Sequence, residues 1–239
     1  MVAPQISEIR RGREGARTVA WRGDEAVALL TVSPDTPFLS ADFVRHCLSN
    51  LAEQGFSRVV TGALSPLQQA GFLAAGFGVE ERLRLLGLDL ALPLPLLPRG
   101  PRLRRVRSGR RRSVLELDRA AFPDFWRFDE LALRDALAAT PAVRFRMAAA
   151  RRATPGGYAI CGRAGRRGYV QRLAVHPTMQ GQGVGRRLLL DGLYWMAEHG
   201  VGRVLVNTQR GNDQALALYS AVGFRDEPVG LSVLSAGLR

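Results

Sequence analysis

The chain contains no lysine, although it is strongly basic. All 34 of its basic residues are arginines, against 21 acidic residues, and the formal net charge is +13 over 239 residues. Exclusive use of arginine, together with abundant alanine, glycine, leucine and valine, is typical of GC-rich coding sequence. The charge therefore does not by itself indicate a nucleic-acid-binding protein, although affinity for phosphates and other anions is expected.

Cysteine and histidine are too few and too scattered to suggest a metal site. The chain has two cysteines and three histidines. Cys47 and Cys161 lie far apart, and His46 next to Cys47 would point in a different direction on a helix. We therefore expect no bound metal and two buried thiols that pack as small apolar side chains.

Long uninterrupted apolar runs are also missing. The N-terminus carries charges where a secretory signal would have an apolar core. The leucine-rich stretch 83–97 is broken by charged residues and prolines, and it is too short to span a bilayer. We expect a cytoplasmic protein without a membrane segment, either a monomer or a homodimer.

Three glycines at alternate positions follow an apolar strand predicted at residues 168–175, and an amphipathic helix comes next. Gly181, Gly183 and Gly185 let the backbone approach a ligand closely, and the first amides of a helix have no partner within it. This glycine turn, residues 180–185, favours an anion such as phosphate, unless the glycines merely shape a tight loop. The spacing matches neither a P-loop nor the dinucleotide-binding pattern.

A second pattern lies downstream. Residues 204–208 are predicted to form a buried strand, Asn212 to cap the next helix and Gly223 to end it. Tyr219 lies on the apolar face of that helix, as a core residue or a functional one. Its phenol could return a proton to a thiolate, because the unperturbed pKa values are near ~10 for tyrosine and ~8.5 for a thiol.

Together the two segments resemble the GCN5-related N-acetyltransferase (GNAT) superfamily. The glycine turn, which reads Gln180-x-x-Gly183-x-Gly185, resembles its acetyl-CoA-binding motif, and residues 212–224 resemble its second signature segment. The resemblance implies an N-acetyltransferase with acetyl-CoA as co-substrate and Tyr219 as general acid. The acceptor would be an amine on a small molecule or peptide, and the excess of arginine favours an acidic one.

The resemblance also implies where the coenzyme lies. Backbone groups of the strand would pair with the pantetheine arm and polarise the acetyl carbonyl, while amides and arginines at the helix start would hold the pyrophosphate. The arginines could equally belong to a solvated helix face. The residues expected at the coenzyme are Leu173, Ala174, Val175, Gln180, Gly181, Gln182, Gly183, Val184, Gly185, Arg186, Arg187, Asn207 and Asn212.

The general base stays open. Many members of the superfamily carry a glutamate on the strand that enters the glycine turn, but this chain has Gln171, which can orient a water and cannot accept a proton. Asp124, Asp129 and Glu116 are the other candidates, and a water relay or an unprotonated acceptor would need none of them. The residues expected to be catalytic are Tyr219, Gln171 and Asp124.

The chain is predicted to contain two related halves. Residues 93–101 are rich in proline and predict a semi-rigid linker. Residues 102–239 carry both motifs and form the expected catalytic domain. Residues 1–92 repeat the pattern without the glycines and place Phe72 where the second half has Tyr219, so they predict a degenerate GNAT-like domain that supports the second half or walls its substrate cleft.

The expected fold class is α+β, a mixed α/β sandwich. It is the acyl-CoA N-acyltransferase (GNAT-like) fold, with a central mixed, mostly antiparallel sheet flanked by helices, in two tandem domains. An aromatic loop at 123–128 either closes the core or walls the substrate site. The other expected elements are a hairpin at 18–22 and 26–32, helices at 40–54, 65–75, 111–122 and 129–139, and strands at 57–61, 142–150 and 157–161.

Two other classes of function compete with the enzyme. A catalytically weak acetyl-CoA-binding regulatory or interaction module would need the glycine turn but not Tyr219. A nucleic-acid binder would use the arginines of residues 102–112, but these lack the interleaved aromatic side chains of a stacking platform and are typical of a solvated edge strand and helix start. Tyr219 and a complete glycine turn together favour the enzyme, and nucleic acid is not an expected partner.

Overall fold

The computed structural model describes residues 7–22, 24–33, 35–36, 38–149 and 155–238. The chain forms two compact units, each built from a sheet and packed helices, so the expected α+β fold with a mixed, mostly antiparallel sheet is confirmed. The first unit comprises Met1–Leu85, Gln209–Gly211 and Glu227–Arg239, and the second comprises Leu86–Thr208 and Asn212–Asp226.

The first unit has one parallel strand pair in an otherwise antiparallel sheet of order β1-β2-β3-β4-β12-β5. Helix α1 links the parallel strands β3 and β4, because a parallel connection needs a crossover. Its elements are β1 (Ser7–Arg11), β2 (Glu14–Trp21), β3 (Asp24–Val32), α1 (Ala41–Glu53), β4 (Arg58–Thr61), α2 (Pro66–Ala74), β5 (Gly78–Asp89, of which residues 78–85 belong here) and β12 (Leu231–Gly237).

The second unit also contains one parallel strand pair. Its order is β5-β10-β9-β8-β7-β6, with β11 also paired to β5, and helix α5 links the parallel strands β9 and β10. Its elements are the last residues of β5, then β6 (Leu103–Arg105), α3 (Arg111–Ala121), α4 (Glu130–Ala138), β7 (Ala142–Ala148), β8 (Gly157–Ala164), β9 (Arg167–Val175), α5 (Val184–Glu198), β10 (Arg203–Gln209), α6 (Asp213–Val222) and β11 (Arg225–Asp226).

Two apolar clusters hold the second unit together. One joins α5 and α6 to the sheet and includes Leu189, Leu193 and Val206. The other joins α3 and α4 to β7, β8 and β9 and includes Leu117 and Ile160. Because side chains of a strand alternate between the faces of a sheet, consecutive residues of β9 contribute to different clusters.

Strand β5 belongs to both units, and the chain returns to the first unit for β12. Strand β5 starts in the first unit and ends in the second, where residues 86–89 pair with β11. Strand β12, at the end of the chain, lies in the first unit between β4 and β5. The units therefore divide inside β5, whereas the sequence led us to expect a division at residues 93–101 and a second domain that continued to residue 239.

The proline-rich segment 93–101 is packed within the second unit. Leu94 contacts the apolar cluster around α5, and the Tyr194 hydroxyl donates to the Pro95 carbonyl at 3.1 Å. The Arg187 guanidinium donates to the carbonyls of Pro98 and Pro101. These carbonyls are free to accept because a proline-rich segment forms no regular ladder of its own. The segment is thus a docked strap on α5.

Most expected elements are present with shifts of a few residues. The hairpin formed by β2 and β3, the Ser40 cap of α1 and the charged edge strand β6 are all confirmed. Residue 150, the last of the strand expected at 142–150, lies outside the described residues. Within the described residues, no helix combines the length and apolar character that a bilayer crossing requires.

Candidate active site

Strands β9 and β10 run side by side only at their start. Their ladder pairs Arg203 with Arg167 and ends at Leu205 with Tyr169. On its other edge β9 stays paired with β8 as far as Val175. Among the described strands, the last part of β9 therefore has one edge without a ladder partner, and its backbone groups can pair with an extended ligand.

The glycine turn leads from β9 into α5 through two left-handed residues. Gly181 and Gly183 have φ values of 72° and 75°, which residues with a side chain adopt at a cost. Helix α5 starts at Val184, and Gly183 caps it without any side-chain hydrogen bond. The first amides of α5 are therefore available to an anion, which the helix dipole also favours.

Gly185 is required for a different reason, namely space. A Cβ at this position would lie 3.3 Å from both Leu218 Cδ2 and Val175 Cγ2. The absence of a side chain lets the first turn of α5 approach both β9 and α6. Three elements thus converge on one pocket.

That pocket has a volume of about 360 Å³ and lies entirely within the second unit. Its walls are mostly apolar, with Arg186 as the charged side chain and Tyr219 as the phenol. The lining residues are Ala121, Phe122, Leu173, Ala174, Val175, Met179, Gln180, Gly181, Gly183, Val184, Gly185, Arg186, Asn212, Gln214, Ala215, Leu218 and Tyr219.

Tyr219 is held in the pocket wall by α6. The side chain of Asn212 caps this helix by accepting from the Ala215 amide at 3.2 Å, as the sequence predicts. Tyr219 is only 5% exposed, and its ring lies 5.6 Å from that of Phe224. Burial raises the pKa of Tyr219 well above its ordinary value. The phenol consequently keeps its proton throughout the physiological pH range.

Most of the residues expected at the coenzyme line this one pocket. They are Leu173, Ala174, Val175, Gln180, Gly181, Gly183, Val184, Gly185, Arg186 and Asn212. Gln182, Arg187 and Asn207 lie outside its lining. The side-chain Nε2 of Gln182 donates to the Thr178 carbonyl at 3.0 Å. Arg187 binds the docked strap, and Asn207 is exposed on β10.

The candidates for a general base also lie outside the lining. The Asp124 side chain is 86% exposed and pairs with Arg127, while Asp129 caps α4. Gln171 donates to the Thr140 hydroxyl at 3.3 Å, and its own carbonyl oxygen has no hydrogen-bond partner. Glu116 is half exposed and 3.3 Å from Arg112. None of these side chains is among the residues that line the pocket.

A buried ion pair that was not among the expected features lies beside the pocket. The Arg172 guanidinium donates to both oxygens of Asp118 at 2.8 Å, and the Tyr158 hydroxyl donates to Asp118 at 2.5 Å. The Asp118 side chain is fully buried. Burial raises the pKa of Tyr158, so this hydroxyl remains a donor. One signal was available, since Asp118 follows Val114 by four residues on the apolar face of α3.

The thiols and the remaining charged groups form no further centre in the described part of the chain. No set of three His, Cys, Asp or Glu side chains there could hold a metal ion. Both cysteines are buried, as expected. Burial raises the pKa of Cys161 from 9.0 to about 12, so this thiol stays protonated in neutral solution.

The comparison with known families decides to which family the chain belongs. Residues 111–224, which contain every residue that lines the pocket, match the acetyltransferase (GNAT) family. A mycothiol acetyltransferase of Thermobispora bispora is 30% identical over 242 aligned positions, covering 89% of this chain and 81% of that protein. The chain belongs to the GNAT family. It is therefore an acyltransferase, and GNAT enzymes use acetyl-CoA as co-substrate and an amine as acceptor.

Other GNAT relatives match over shorter stretches. A mycothiol acetyltransferase of Saccharomonospora viridis is 30% identical over 182 positions, which is 65% of this chain and 57% of that protein. One from Rhodococcus jostii is 40% identical over 57 positions, 24% of this chain and 19% of that protein. The short, more similar match indicates that resemblance is concentrated in one part of the chain.

Solved structures show the same GNAT fold. A tandem GNAT protein from the clavulanic acid biosynthesis pathway superposes with a TM-score of 0.69, at 16% identity, over 96% of this chain and 81% of that chain. A GCN5-related N-acetyltransferase from Sphaerobacter thermophilus gives 0.63, at 16% identity, over 95% and 77%. At this identity the likeness concerns the fold alone.

Proposed function

We propose that the second unit transfers an acetyl group from acetyl-CoA to an amine of a small molecule or peptide by direct attack, with Tyr219 as general acid. One observation carries this proposal. A single pocket is lined by the unpaired end of β9, by the start of α5 and by the Tyr219 phenol. These are the three parts that acyl transfer from a coenzyme thioester needs: a strand edge, an anion site and a proton donor.

The chemistry of the pocket lining supports acetyl-CoA as the ligand. The uncapped start of α5 and the Arg186 guanidinium suit a pyrophosphate, and the apolar walls and β9 edge suit a pantetheine arm. Acetyl-CoA would supply the activated acetyl group. Backbone groups of Leu173, Ala174 and Val175 would orient that arm, and a β9 amide would polarise the carbonyl oxygen.

Tyr219 would hold the proton that the reaction needs at its end. Attack of the amine nitrogen forms the new C–N bond and breaks the C–S bond, so a thiolate leaves and must be protonated. The buried phenol keeps its proton at neutral pH because its pKa is raised. As the C–S bond breaks, the phenol would transfer this proton to the sulfur. The attacking nitrogen must lose one proton to become an amide, and that proton would restore the phenol directly or through a water, so the protons balance.

For the acceptor, the names of the relatives suggest a first candidate. Several are mycothiol acetyltransferases, so deacetylated mycothiol is the first amine to test. The net charge of +13 supports an anionic acceptor as the second class. Since no base candidate lines the pocket, the amine would enter unprotonated or lose its proton through a water.

The test compares Tyr219→Phe with Tyr169→Phe, a matched change on β9 outside the pocket lining. With deacetylated mycothiol and an acidic dipeptide as acceptors, acetylated product is measured by mass spectrometry and acetyl-CoA affinity by calorimetry. We expect Tyr219→Phe to lower kcat about a hundredfold and to change the Kd for acetyl-CoA less than about twofold. Tyr169→Phe should change neither value.

Two outcomes would overturn the assignment. Equal losses of affinity and turnover in Tyr219→Phe would make the tyrosine a structural residue. Acetyl-CoA binding without turnover on any amine would instead support the regulatory module that uses the glycine turn alone.

For the first unit we propose a degenerate GNAT-like copy. Helix α2 of the first unit and helix α6 of the second end in the same way. The Phe77 amide donates to the Phe72 carbonyl at 3.1 Å, and the Phe224 amide donates to the Tyr219 carbonyl at 3.1 Å. The ring pairs also correspond, with centroids 5.2 Å and 5.6 Å apart. Phenylalanine cannot donate a proton, so the copy lacks the general acid.

Two features support loss of the coenzyme site in this copy. A Cβ on Gly71 would lie 1.9 Å from the Leu39 carbonyl oxygen, so α2 packs directly on the segment that enters α1. The start of α1 is also occupied. The Ser40 amide donates to Glu14 Oε1 at 2.5 Å, and its hydroxyl donates to Oε2 at 2.9 Å. A carboxylate of the chain thus lies where α5 has room for a phosphate.

A further inference from the structure

The Arg172 guanidinium is enclosed by α3 and the loop that follows it. Besides the bidentate pair with Asp118, it donates to the Trp126 carbonyl at 2.6 Å. Asp118 in turn accepts from the Phe128 amide at 2.6 Å. Arg172 and its partner Asp118 therefore bind the loop together, at Trp126 and at Phe128.

Two aromatic rings of the same loop cover the guanidinium. Its central carbon lies 3.5 Å from the ring centroid of Phe122 and 4.0 Å from that of Phe128. The Arg172 side chain is only 10% exposed. A planar guanidinium can stack on rings with both faces while its edge forms hydrogen bonds, which an ammonium group cannot do.

A β-bulge explains why Arg172 points to this loop. The ladder between β8 and β9 shifts register where Cys161 faces Val170 and Ile160 faces Arg172, so Gln171 is the extra residue. Val170 and Leu173 consequently pack in the same cluster although three positions separate them. Arg172 is then directed to the face that carries α3, as bulges often redirect a side chain.

The held loop forms one wall of the pocket. Phe122 of the loop lines it together with Ala121 at the end of α3, Leu173 and Tyr219. Phe122 is also the ring that stacks on Arg172, and its carbonyl accepts from Arg127 at 3.0 Å. Leu173, which follows Arg172, therefore lines the pocket directly, and the Arg172 guanidinium holds a second lining residue, Phe122.

We infer that Arg172 is a positioning residue for the acceptor: by holding residues 122–128 around its guanidinium, it fixes the Phe122 wall against the strand that orients the acetyl group. This inference rests on the proposed acetyl transfer. Arg172 does not itself line the pocket, so it acts through Phe122. The wall decides how the amine approaches the carbonyl, and small displacements of reacting groups cost large factors in rate.

The chain offers a matched control for this role. Arg144 forms an equivalent bidentate pair with Asp191, at 2.7 Å and 2.8 Å, between β7 and α5 and outside the pocket lining. Arg172→Lys and Arg144→Lys each keep the charge and lose the fork geometry. Phe128→Leu removes one stacking ring and keeps an apolar side chain. This variant tests the same role if Arg172→Lys does not fold.

The experiment measures KM for both substrates in the full chain, with deacetylated mycothiol as acceptor, and amide hydrogen exchange in the peptide spanning 119–129. We expect Arg172→Lys and Phe128→Leu to raise the acceptor KM or lower kcat by roughly ten- to a hundredfold, with the acetyl-CoA KM within about twofold. Exchange in the loop should accelerate. Arg144→Lys should change none of these.

The outcomes separate this inference from the proposed function. Suppose that the wild type acetylates the probe. The positioning role is then wrong, and the acetyl transfer stands, if Arg172→Lys shifts both KM values alike or if it leaves both KM values and kcat unchanged. If the wild type transfers no acetyl group to deacetylated mycothiol or to the acidic dipeptide, both are overturned. Unchanged exchange in the loop also contradicts the role, because residues 122–128 would then be held by other contacts.

Discussion

Arg186 and Arg187 are neighbours in sequence and serve different purposes. Arg186 lines the pocket, whereas Arg187 donates to carbonyls of the docked strap. Both follow the glycine turn on the first turn of α5, and the sequence assigns both to the coenzyme. A helix separates the directions of adjacent side chains by about 100°, so only one of the two can face the ligand.

This difference predicts that one of two adjacent substitutions affects coenzyme affinity and the other affects stability. Arg186→Ala should raise the Kd for acetyl-CoA roughly tenfold, because it removes a charge-assisted contact to the phosphates, and should leave the melting temperature nearly unchanged. Arg187→Ala should lower the free energy of unfolding by about 1 to 2 kcal/mol, because it leaves strap carbonyls unpaired, with affinity retained. Calorimetry and thermal unfolding measure both. The prediction is wrong if the two variants lose affinity equally.

The sequence could predict a single residue only where its role depends on its neighbours along the chain. The glycine turn and the Asn212 cap depend on backbone geometry within a few residues, so their pattern is visible in the chain. Asp118 and Arg172 are 54 residues apart, and they come into contact only because α3 packs against β9 in the folded chain. Asp124 is placed by its exposed pair with Arg127, and no sequence pattern fixes the direction in which a loop carboxylate points.

At the scale of elements, α5 has a left-handed glycine at each end. Gly183 precedes it with φ 75°, and Gly200 follows it with φ 74°. A Cβ at either position would meet no atom within 4 Å. The backbone strain of a substitution is thus the same at both ends, while only one end lies in the pocket.

We expect Gly183→Ala and Gly200→Ala to cost about 1 to 2 kcal/mol each in the free energy of unfolding. Gly183→Ala should in addition weaken acetyl-CoA binding by roughly tenfold, because it disturbs the amides at the start of α5. Denaturant unfolding gives the first quantity and calorimetry the second. A loss of affinity in Gly200→Ala would place the anion site elsewhere.

Helices and central strands could be predicted because their periodic patterns are strong. Strands β1, β5, β11 and β12 were not among the expected elements. Residues 78–89 alternate charged and apolar side chains only in part, since β5 passes from one unit to the other and its burial changes along its length. A strand whose surroundings change midway has no constant period to detect.

At the scale of the whole molecule, the two units differ in how far their parallel strands stay paired. In the first, the β3–β4 ladder extends to Leu30 with Thr61, and Gly71 closes onto Leu39. In the second, the ladder ends early and the pocket opens. The pocket beside the unpaired end of β9 therefore belongs to the second unit.

We therefore predict that one acetyl-CoA binds per chain. Titration calorimetry should give a stoichiometry of one, and acetyl-CoA should slow amide exchange in residues 173–188 but not in residues 39–45. Gly183→Ala should weaken this single binding event. A second saturable site that persists in Gly183→Ala would show that the first unit binds the coenzyme as well.

The position of β12 has a consequence for biosynthesis. Because this strand fills the gap between β4 and β5, the first unit keeps two unpaired strand edges while the ribosome is still translating the second. Nascent chains generally fold their N-terminal domain first, but here the first unit can complete its sheet only after the last strand emerges. Completion of the first sheet thus waits for residues 231–237, and a ribosome stalled before them would display an aggregation-prone half.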